Sequence, residues 1–250
     1  MKPTLFISDL HLSATRPAMV AAFGQFCAGP ARDAAQLYVL GDLFDTWIGD
    51  EQLRDPMAAG VAAALAGVAA AGTGVGVMRG NRDLLLGARF AQAAGATLLP
   101  DAVVADIAGR PTLLLHGDTL CTDDLPYQEF RTKVRDPLRQ RRFLALPYLA
   151  RRALVALIRI KSRRATARKS ETIMDVNADA VAAAFAQHRV DRMIHGHTHR
   201  PARHQVAGLG HDAERWVLPD WYDAGGYLAV DASGARMHAV AATASPRGRD

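Results

Sequence analysis

The sequence predicts an α/β protein carrying one helical, cationic insertion, and three observations lead there. Over residues 1 to about 120, short apolar runs bounded by Gly or Asp, too brief for helices, alternate with helical segments. Five apolar runs along the chain stop on side chains suited to metal ions: Ser8-Asp9-Leu10-His11, Gly41-Asp42, Gly80-Asn81-Arg82-Asp83, His116-Gly117-Asp118 and His195-Gly196-His197-Thr198-His199. Strand C-terminal ends are where an α/β sheet puts its chemistry, because the strand fixes direction while the turn after it carries polar groups. The window 127–169 holds fourteen Lys or Arg against two acids, a charge of +12 in a chain whose total is +5, which leaves −7 for the rest.

Residues 5–7, 37–40, 75–78 and 113–115 read as buried strands, with helices at 18–26, 56–71 and 84–94 between them. Residues 103–107, followed by Gly109-Arg110-Pro111, read as a hairpin arm leading into the fourth motif strand. From Pro126 the pattern turns helical and cationic, with Pro137 and Pro147 as breaks. There Leu144, Leu146, Tyr148, Leu149, Leu154, Val155, Leu157, Ile158 and Ile160 alternate with Arg151, Arg152, Arg159 and Lys161, predicting helices apolar on one side and arginine-rich on the other. A helix over about 174–188 leads back to a strand at 192–194, and strands near 216–218, 227–230 and 237–240 close the fold. The expected organisation is a core of residues 1–125 and 170–242, a lid insertion at 126–169, and a disordered tail at 243–250 that contains Ser245-Pro246-Arg247-Gly248.

Two cysteines, Cys27 and Cys121, form neither a disulfide framework nor a zinc spacing, and read as packing residues in a reducing compartment. The first strand begins directly after Met1-Lys2-Pro3 and carries Asp9 and His11, so no cleaved export signal is expected. The uncharged stretch 57–78, apart from its length, does not resemble a membrane span: it is Ala- and Gly-rich, and Gly72-Thr73-Gly74 divides it into a helix and a strand. Residues 72–76 lack Walker spacing and a lysine, and neither a Gly-x-Ser-x-Gly elbow nor a Cys/His nucleophile pairing is present.

In Asp9-Leu10-His11 and His197-Thr198-His199 the side chains at i and i+2 face the same way off an extended segment. A carboxylate such as Asp42 has two oxygens and is able to bridge two cations, as sites with metals ~3.5–4 Å apart require. Asn81 adds a neutral oxygen and His116 an imidazole. Mixed Asp, Asn and His donors suit Mn²⁺, Fe²⁺ or Zn²⁺ better than Mg²⁺ or Ca²⁺. His195 points opposite to His197 and His199 and reads as structural. Asp83 and Asp118 read as carboxylates orienting ligand histidines or Arg82, Asp45 and Asp50 as loop or cap residues, and His188, His204, His211 and His238 as surface.

The five blocks, in this order, resemble the calcineurin-like metallophosphoesterase superfamily, whose motifs run D-x-H, G-D, G-N-H-E/D, H and G-H-x-H. The third block departs from that pattern, with Arg82 where most members place an acid histidine. In this it resembles the bacterial UDP-2,3-diacylglucosamine pyrophosphohydrolases of lipid A synthesis, as do residues 40–44, 47–50, 116–124, 173–177 and 194–201. The resemblance implies a four-layer α/β/β/α sandwich. It implies one metal on Asp9, His11, Asp42 and His199, and a second on Asp42, Asn81, His116 and His197. It places Asn81, Arg82, Asp124, Ser162, Thr166, Lys169 and His197 against substrate. Two Mn²⁺ are expected as cofactors.

The implied reaction is water attack at the α-phosphorus of UDP-2,3-diacylglucosamine, releasing UMP and 2,3-diacylglucosamine 1-phosphate. Two cations lower the pKa of bound water toward ~7 and neutralise phosphoryl oxygens. Arg82 is able to fork two diphosphate oxygens. An insertion both apolar and cationic suits an acylated substrate, sheltering chains while arginines meet anionic headgroups. The expected location is the cytoplasmic face of the inner membrane, held peripherally. The alternative is a nuclease or nucleotide phosphodiesterase of the same superfamily. Against nucleic acid, only Phe143 and Tyr148 are available to stack on bases across the central insertion.

Overall fold

The computed structural model describes residues 2–166, 175–206 and 212–240, with the backbone alone over 161–166. In chain order, β1 (Thr4–Ile7), α1 (Pro17–Ala28), β2 (Gln36–Leu40), α2 (Pro56–Ala70), β3 (Gly74–Met78) and α3 (Ala88–Ala94) alternate as expected, and a short strand that was not expected, β4 (Thr97–Leu98), follows. The hairpin β5 (Ala102–Ile107) and β6 (Arg110–Leu115) turns on Ala108 and Gly109, at φ 54° and 79°. Positive φ at both central residues matches the right-handed twist of the flanking strands. Then come α4 (Leu125–Arg135), α5 (Pro137–Leu144), α6 (Tyr148–Thr166), α7 (Ala178–His188), β7 (Arg192–His195), β8 (Ala202–Val206), β9 (Ala213–Val217), β10 (Gly225–Asp231) and β11 (Gly234–Val240).

The strands form two sheets, ordered β11-β10-β1-β2-β3-β4 and β5-β6-β7-β9-β8. Period-2 alternation sends successive side chains to opposite faces and so builds three apolar layers. Ile7, Leu37, Val39 and Val77 pack with Phe23, Phe26, Leu65 and Phe90 under α1–α3. Their neighbours Phe6, Leu40 and Met78 meet Leu114, Ile194, Trp216 and Leu228 between the sheets. Leu113, Leu115 and Met193 face α7 through Val181 and Phe185. The result is an α/β/β/α stack in which the parallel strands β1, β2 and β3 end on one side, as do β6 and β7 of the second sheet.

Helix starts follow local chemistry. Asp55 accepts from the Met57 and Ala58 amides ahead of α2, with Pro56 at the first helical position, and Asn177 accepts from Asp179 and Ala180 ahead of α7. The third helix begins at Ala88, not at residue 84 as expected: Asp50, distant in sequence, accepts from the Gly87, Arg89 and Phe90 amides and sets the start there. β8 was not expected; it is an exposed edge strand reading Ala-Arg-His-Gln-Val, with no apolar alternation to announce it. β9 begins at Ala213, ahead of the expected 216. The stretch 57–78 is α2 followed by β3, and among the described residues no helix is long and apolar enough to cross a membrane.

Helices α4–α6 occupy the basic window, with breaks at Pro137, the first residue of α5, and at Pro147 just before α6. No side chain of α4 or α5 is buried, and Leu149 and Leu157 on α6 are 73% and 66% exposed. One expectation is corrected here. Arg151 does not face solvent: it is 2% exposed, donates to Ile48 O at 2.7 Å and to Glu51 Oε1 at 2.7 Å, and so ties α6 to the core. Arg159, two turns on, pairs with Asp45 at 2.7 Å and also bonds Thr46. The arginine-rich face is therefore divided, since residues at i and i+8 return to the same side of a helix and here that side faces the core.

Candidate metal centre

Asp9, His11, Asp42, Asn81, His116, His197 and His199 come from five separate loops at the strand ends. Among the described residues seven non-glycine residues have positive φ, and five of them are Asp9, His11, Asp42, His197 and His199, at φ 56°, 48°, 53°, 71° and 54°. Left-handed backbone at a residue with a Cβ is costly and persists only where its surroundings enforce it. Those surroundings are visible. The Asp9 amide donates to Gly41 O and the His11 amide to Asp42 O, which laces the first two loops together. Asp83 accepts from the amides of Gly80 and Leu43, both at 2.8 Å, and of Asp42 and Phe44, both at 3.3 Å. Asp83 thus holds the loops of Asp42 and Asn81 by their backbone, not a histidine or the Arg82 side chain as expected. At Gly41, φ 95°, an added Cβ would lie 2.6 Å from His116 Nδ1, so this close approach admits only glycine.

The donors converge, and several of them are left without a hydrogen-bond partner. Asp42 Oδ2 lies 3.8 Å from His11 Nδ1 and 3.9 Å from His116 Nε2, while Oδ1 accepts from the Arg82 amide at 2.8 Å. Asn81 Oδ1 is 3.0 Å from His116 Nε2, whose Nδ1 meets Leu40 O at 2.9 Å. Asp9 Oδ2 accepts from Ser8 Oγ and the His197 amide, and Oδ1 lies 3.3 Å from His199 Nε2. The His116 and His197 rings are 5.0 Å apart. Asp9 Oδ1 and both ring nitrogens of His11 are buried with no hydrogen-bond partner, a cost that cation ligation removes. Asp9, His11 and His199 form one compact donor group and Asp9, Asp42 and His116 another, with the donor atoms of each group within 4.8 Å of one another. This set fits divalent cations.

Among themselves these groups titrate in opposite directions. Burial lowers His11 to about 3 and His197 to about 4. Burial raises Asp42 to about 7, with Asp83 and Asp9 adding repulsion. His116 is raised to about 9, because Asp42, Asp9 and Asp118 outweigh its burial. Asp9 sits well below the carboxylate range: burial opposes this, but the His199 contact and the charges of His116, His199 and His11 prevail. His11 and His197 are thereby neutral and Asp9 ionised, as ligation needs, whereas a cation at Asp42 and His116 has to displace a proton.

Arg82 lies beside the centre, its charge bearing on His11, Asp45 and Tyr222. Asp124 is buried at the start of α4, where it accepts from the Tyr127 amide at 3.1 Å. The side chains of Ser162 and Thr166 and all of Lys169 lie outside the described residues, as do His211 and the tail. Asp118 accepts from Tyr127 Oη at 2.9 Å and Arg131 Nε at 2.7 Å, and therefore anchors α4 instead of binding a histidine. His195 is fully buried against Gly196 O and Arg215, pushed down to about 3 by burial first and then by Arg215, and takes no part in the donor group. Sequence reasoning missed Asp220 and Tyr222. Asp220 Oδ2 is 3.2 Å from His199 Nδ1, and the Tyr222 ring is 5.4 Å from the rings of both His11 and His199. Neither belongs to a motif, and nothing short of the fold announces them.

Five strand-end loops holding paired oxygen and imidazole donors define a metal-dependent phosphoesterase, and the sequence profile of the calcineurin-like phosphoesterase family matches residues 2–201. The chain belongs to that family. Among relatives, UDP-2,3-diacylglucosamine hydrolase of Escherichia coli O81 (strain ED1a) is 49% identical over 229 residues, 92% of this chain and 95% of its own. The protein of the same name from Salmonella arizonae is 49% identical over 227 residues, covering 91% and 94%. Among solved structures, an archaeal phosphodiesterase aligns with 95% of this chain and 99% of its own at 12% identity and a TM-score of 0.49.

Proposed function

We propose that this chain hydrolyses the diphosphate of UDP-2,3-diacylglucosamine, water attacking the α-phosphorus to give UMP and 2,3-diacylglucosamine 1-phosphate. The observation that carries the reading is the convergence of seven donor residues, five of them on left-handed backbone, in a chain that matches hydrolases of that name over nearly its whole length. Asp9, His11, Asp42 and His199 would hold one cation and Asp42, Asn81, His116 and His197 a second, with Mn²⁺ the expected metal. When bound, two such ions supply an acidified water and neutralise phosphoryl charge.

The protein's own contribution is placement. Asp83 and the lacing of the first two loops keep the donors within reach of one another, so little reorganisation remains when substrate arrives. Arg82 replaces the acid histidine of most relatives in the superfamily, and its planar fork suits two diphosphate oxygens. The group that leaves the α-phosphorus is 2,3-diacylglucosamine 1-phosphate, whose phosphate carries the departing charge without an added proton, so loss of that histidine is tolerable. Asn81, Asp124, Ser162, Thr166, Lys169 and His197 are the further substrate contacts in this reading.

The insertion serves the acyl chains and the membrane surface. Leu149, Leu157 and Ile160 are exposed apolar side chains on α6, and Arg139, Arg141, Arg142 and Arg152 are exposed cations. Together they suit the anionic cytoplasmic face of the inner membrane, at about 1 kcal/mol per basic residue. The decisive experiment is hydrolysis of UDP-2,3-diacylglucosamine with and without Mn²⁺, with products identified by mass. Metal-dependent UMP and acylated sugar phosphate are expected; cleavage of nucleic acid or cyclic nucleotides with none of the lipid substrate would overturn the assignment. For the membrane, changing Arg139, Arg141, Arg142 and Arg152 to Glu is expected to release the protein from anionic vesicles, and unchanged partitioning would reject that part.

A further inference from the structure

The connection from β9 to β10 crosses from one sheet to the other over the end that carries the donor loops. It is pinned at three places. Trp221 is fully buried, with its ring against Phe23 and Phe26, its amide donating to Asp9 O at 3.1 Å and its indole to Gly226 O at 3.0 Å. Arg16 bridges the two segments: one guanidinium nitrogen reaches Leu10 O and His11 O at 3.2 and 3.3 Å, and the other reaches Trp221 O and, at 2.8 Å, Tyr222 O. The Arg16 guanidinium also lies 5.1 Å from the Tyr222 ring centroid. This loop is therefore fixed to the Asp9-Leu10-His11 segment, although it lies beyond the residues the family profile matches.

That fixing places one carboxylate behind one candidate ligand. His199 is bracketed, with Nε2 3.3 Å from Asp9 Oδ1 on the inner side and Nδ1 3.2 Å from Asp220 Oδ2 on the outer side. An imidazole binds a cation through one nitrogen and needs its proton on the other, and a carboxylate at that second nitrogen selects the tautomer and fixes the ring plane. Resting on the two-metal reading above, we propose that Asp220 is a positioning residue: it holds the Nδ1 proton of His199 and so directs Nε2 at the cation shared with Asp9 and His11. Tyr222, 46% exposed, flanks both histidines and confines the ring from its open side.

The test is Mn²⁺ binding by calorimetry to wild type, Asp220→Ala and Asp220→Asn, with thermal melting of each metal-stripped protein. Alanine is expected to weaken one of two Mn²⁺ sites by ~10–100-fold and to leave the other unchanged. Asparagine, whose carbonyl still accepts from Nδ1, is expected to lose less. A loss spread equally over both sites, following a lowered melting temperature, would show a merely structural loop and overturn the proposal, as would undiminished binding of both ions by the alanine variant. Should alanine fail to fold, asparagine decides alone, by whether one site weakens selectively. Wild type that binds no Mn²⁺ would refute the two-metal reading itself; wild type binding two with Asp220→Ala doing the same would refute Asp220 only.

Discussion

The donor loops and the inserted helices are built on opposite physical terms. Around Asp9, Asp42 and His116 almost every polar atom is buried, backbone is held at positive φ, and the contacts come from residues far apart in sequence. Along α4–α6 many large apolar side chains are exposed, and attachment to the core is by polar side chains: Tyr127 and Arg131 on Asp118, Arg131 and Arg135 on Asp101, Arg151 on Glu51 and Ile48, Arg159 on Asp45 and Thr46. The first region concentrates strain where charge must be placed to within fractions of an ångström. The second keeps its apolar surface available and is fastened by contacts that are individually weak. In the proposed function the first region does the chemistry and the second captures the substrate, and substitutions ought to separate the two.

The largest effect is expected at Asp42, the carboxylate proposed to serve both cations. Asp42→Ala removes an oxygen pair common to both proposed cation sites, and steady-state turnover should fall by at least ~10²–10³-fold. The metal-stripped variant should melt no lower than wild type, because a buried carboxylate crowded by Asp83 and Asp9 is lost with it. Retained turnover would remove Asp42 from the site. Next comes Asp83→Ala, which strands four buried amides and should destabilise the fold by about 3–5 kcal/mol. Chemical denaturation measures it, and Asp83→Asn, keeping an acceptor, should lose less.

On the insertion the effect is smaller and local. Arg151→Ala breaks a partly screened pair with Glu51 and a bond to Ile48 O, for about 2–3 kcal/mol. Hydrogen exchange should rise across α5 and α6 while β1–β3 stay protected. KM for the acylated substrate should rise, with hydrolysis of a small soluble phosphodiester unchanged. Equal losses on both substrates would mean that the helices shape the donor loops directly and that the two regions are not independent.

How far the sequence reveals each region follows the same division. The donor loops are legible because each is local, an apolar run followed by a ligand; the way the ligands point is not, because Asp9-Leu10-His11 and His197-Thr198-His199 are not the extended segments expected but carry their ligands on left-handed backbone. The prolines that break the insertion were legible for the same reason. What stayed hidden depends on partners distant in the chain. Arg151 looked like its neighbour Arg152, and only the placement of Glu51 and Ile48 distinguishes them. Asp83 and Asp118 were recognised as supporting carboxylates, but their partners proved to be backbone amides and α4 instead of histidines. Asp220 and Tyr222 sit in a loop with no motif and reach the site because β9 and β10 belong to different sheets.

The smallest effect separates the regions by pH. In metal-stripped protein, His11, His195 and His197 are held neutral by burial, with folded pKa values near 3, 3 and 4. Their contribution is complete above the unfolded value near ~6.5 and is lost as pH falls below it, because the unfolded chain then binds protons that the folded chain refuses. His116, raised to about 9, acts the other way: its contribution is complete below ~6.5 and is lost as pH rises through 9. Asp42, raised to about 7, destabilises the fold progressively from pH ~4 to 7 and by a constant amount above, which opposes the three histidines on the acid side and is nearly complete before most of the His116 loss develops. Three groups against one set the acid limb, so the melting temperature should peak near neutrality and fall by about 2–6 °C toward pH 9, for about 1–2 kcal/mol. Mn²⁺ should flatten the alkaline limb, since a cation takes the place of the proton on Asp42 and His116. Exchange in α4–α6, which contain none of these groups, should not follow the same profile; if it did, the insertion would be coupled to the charge state of the donors through Asp118, which feels the charge of His116 and pairs with Arg131.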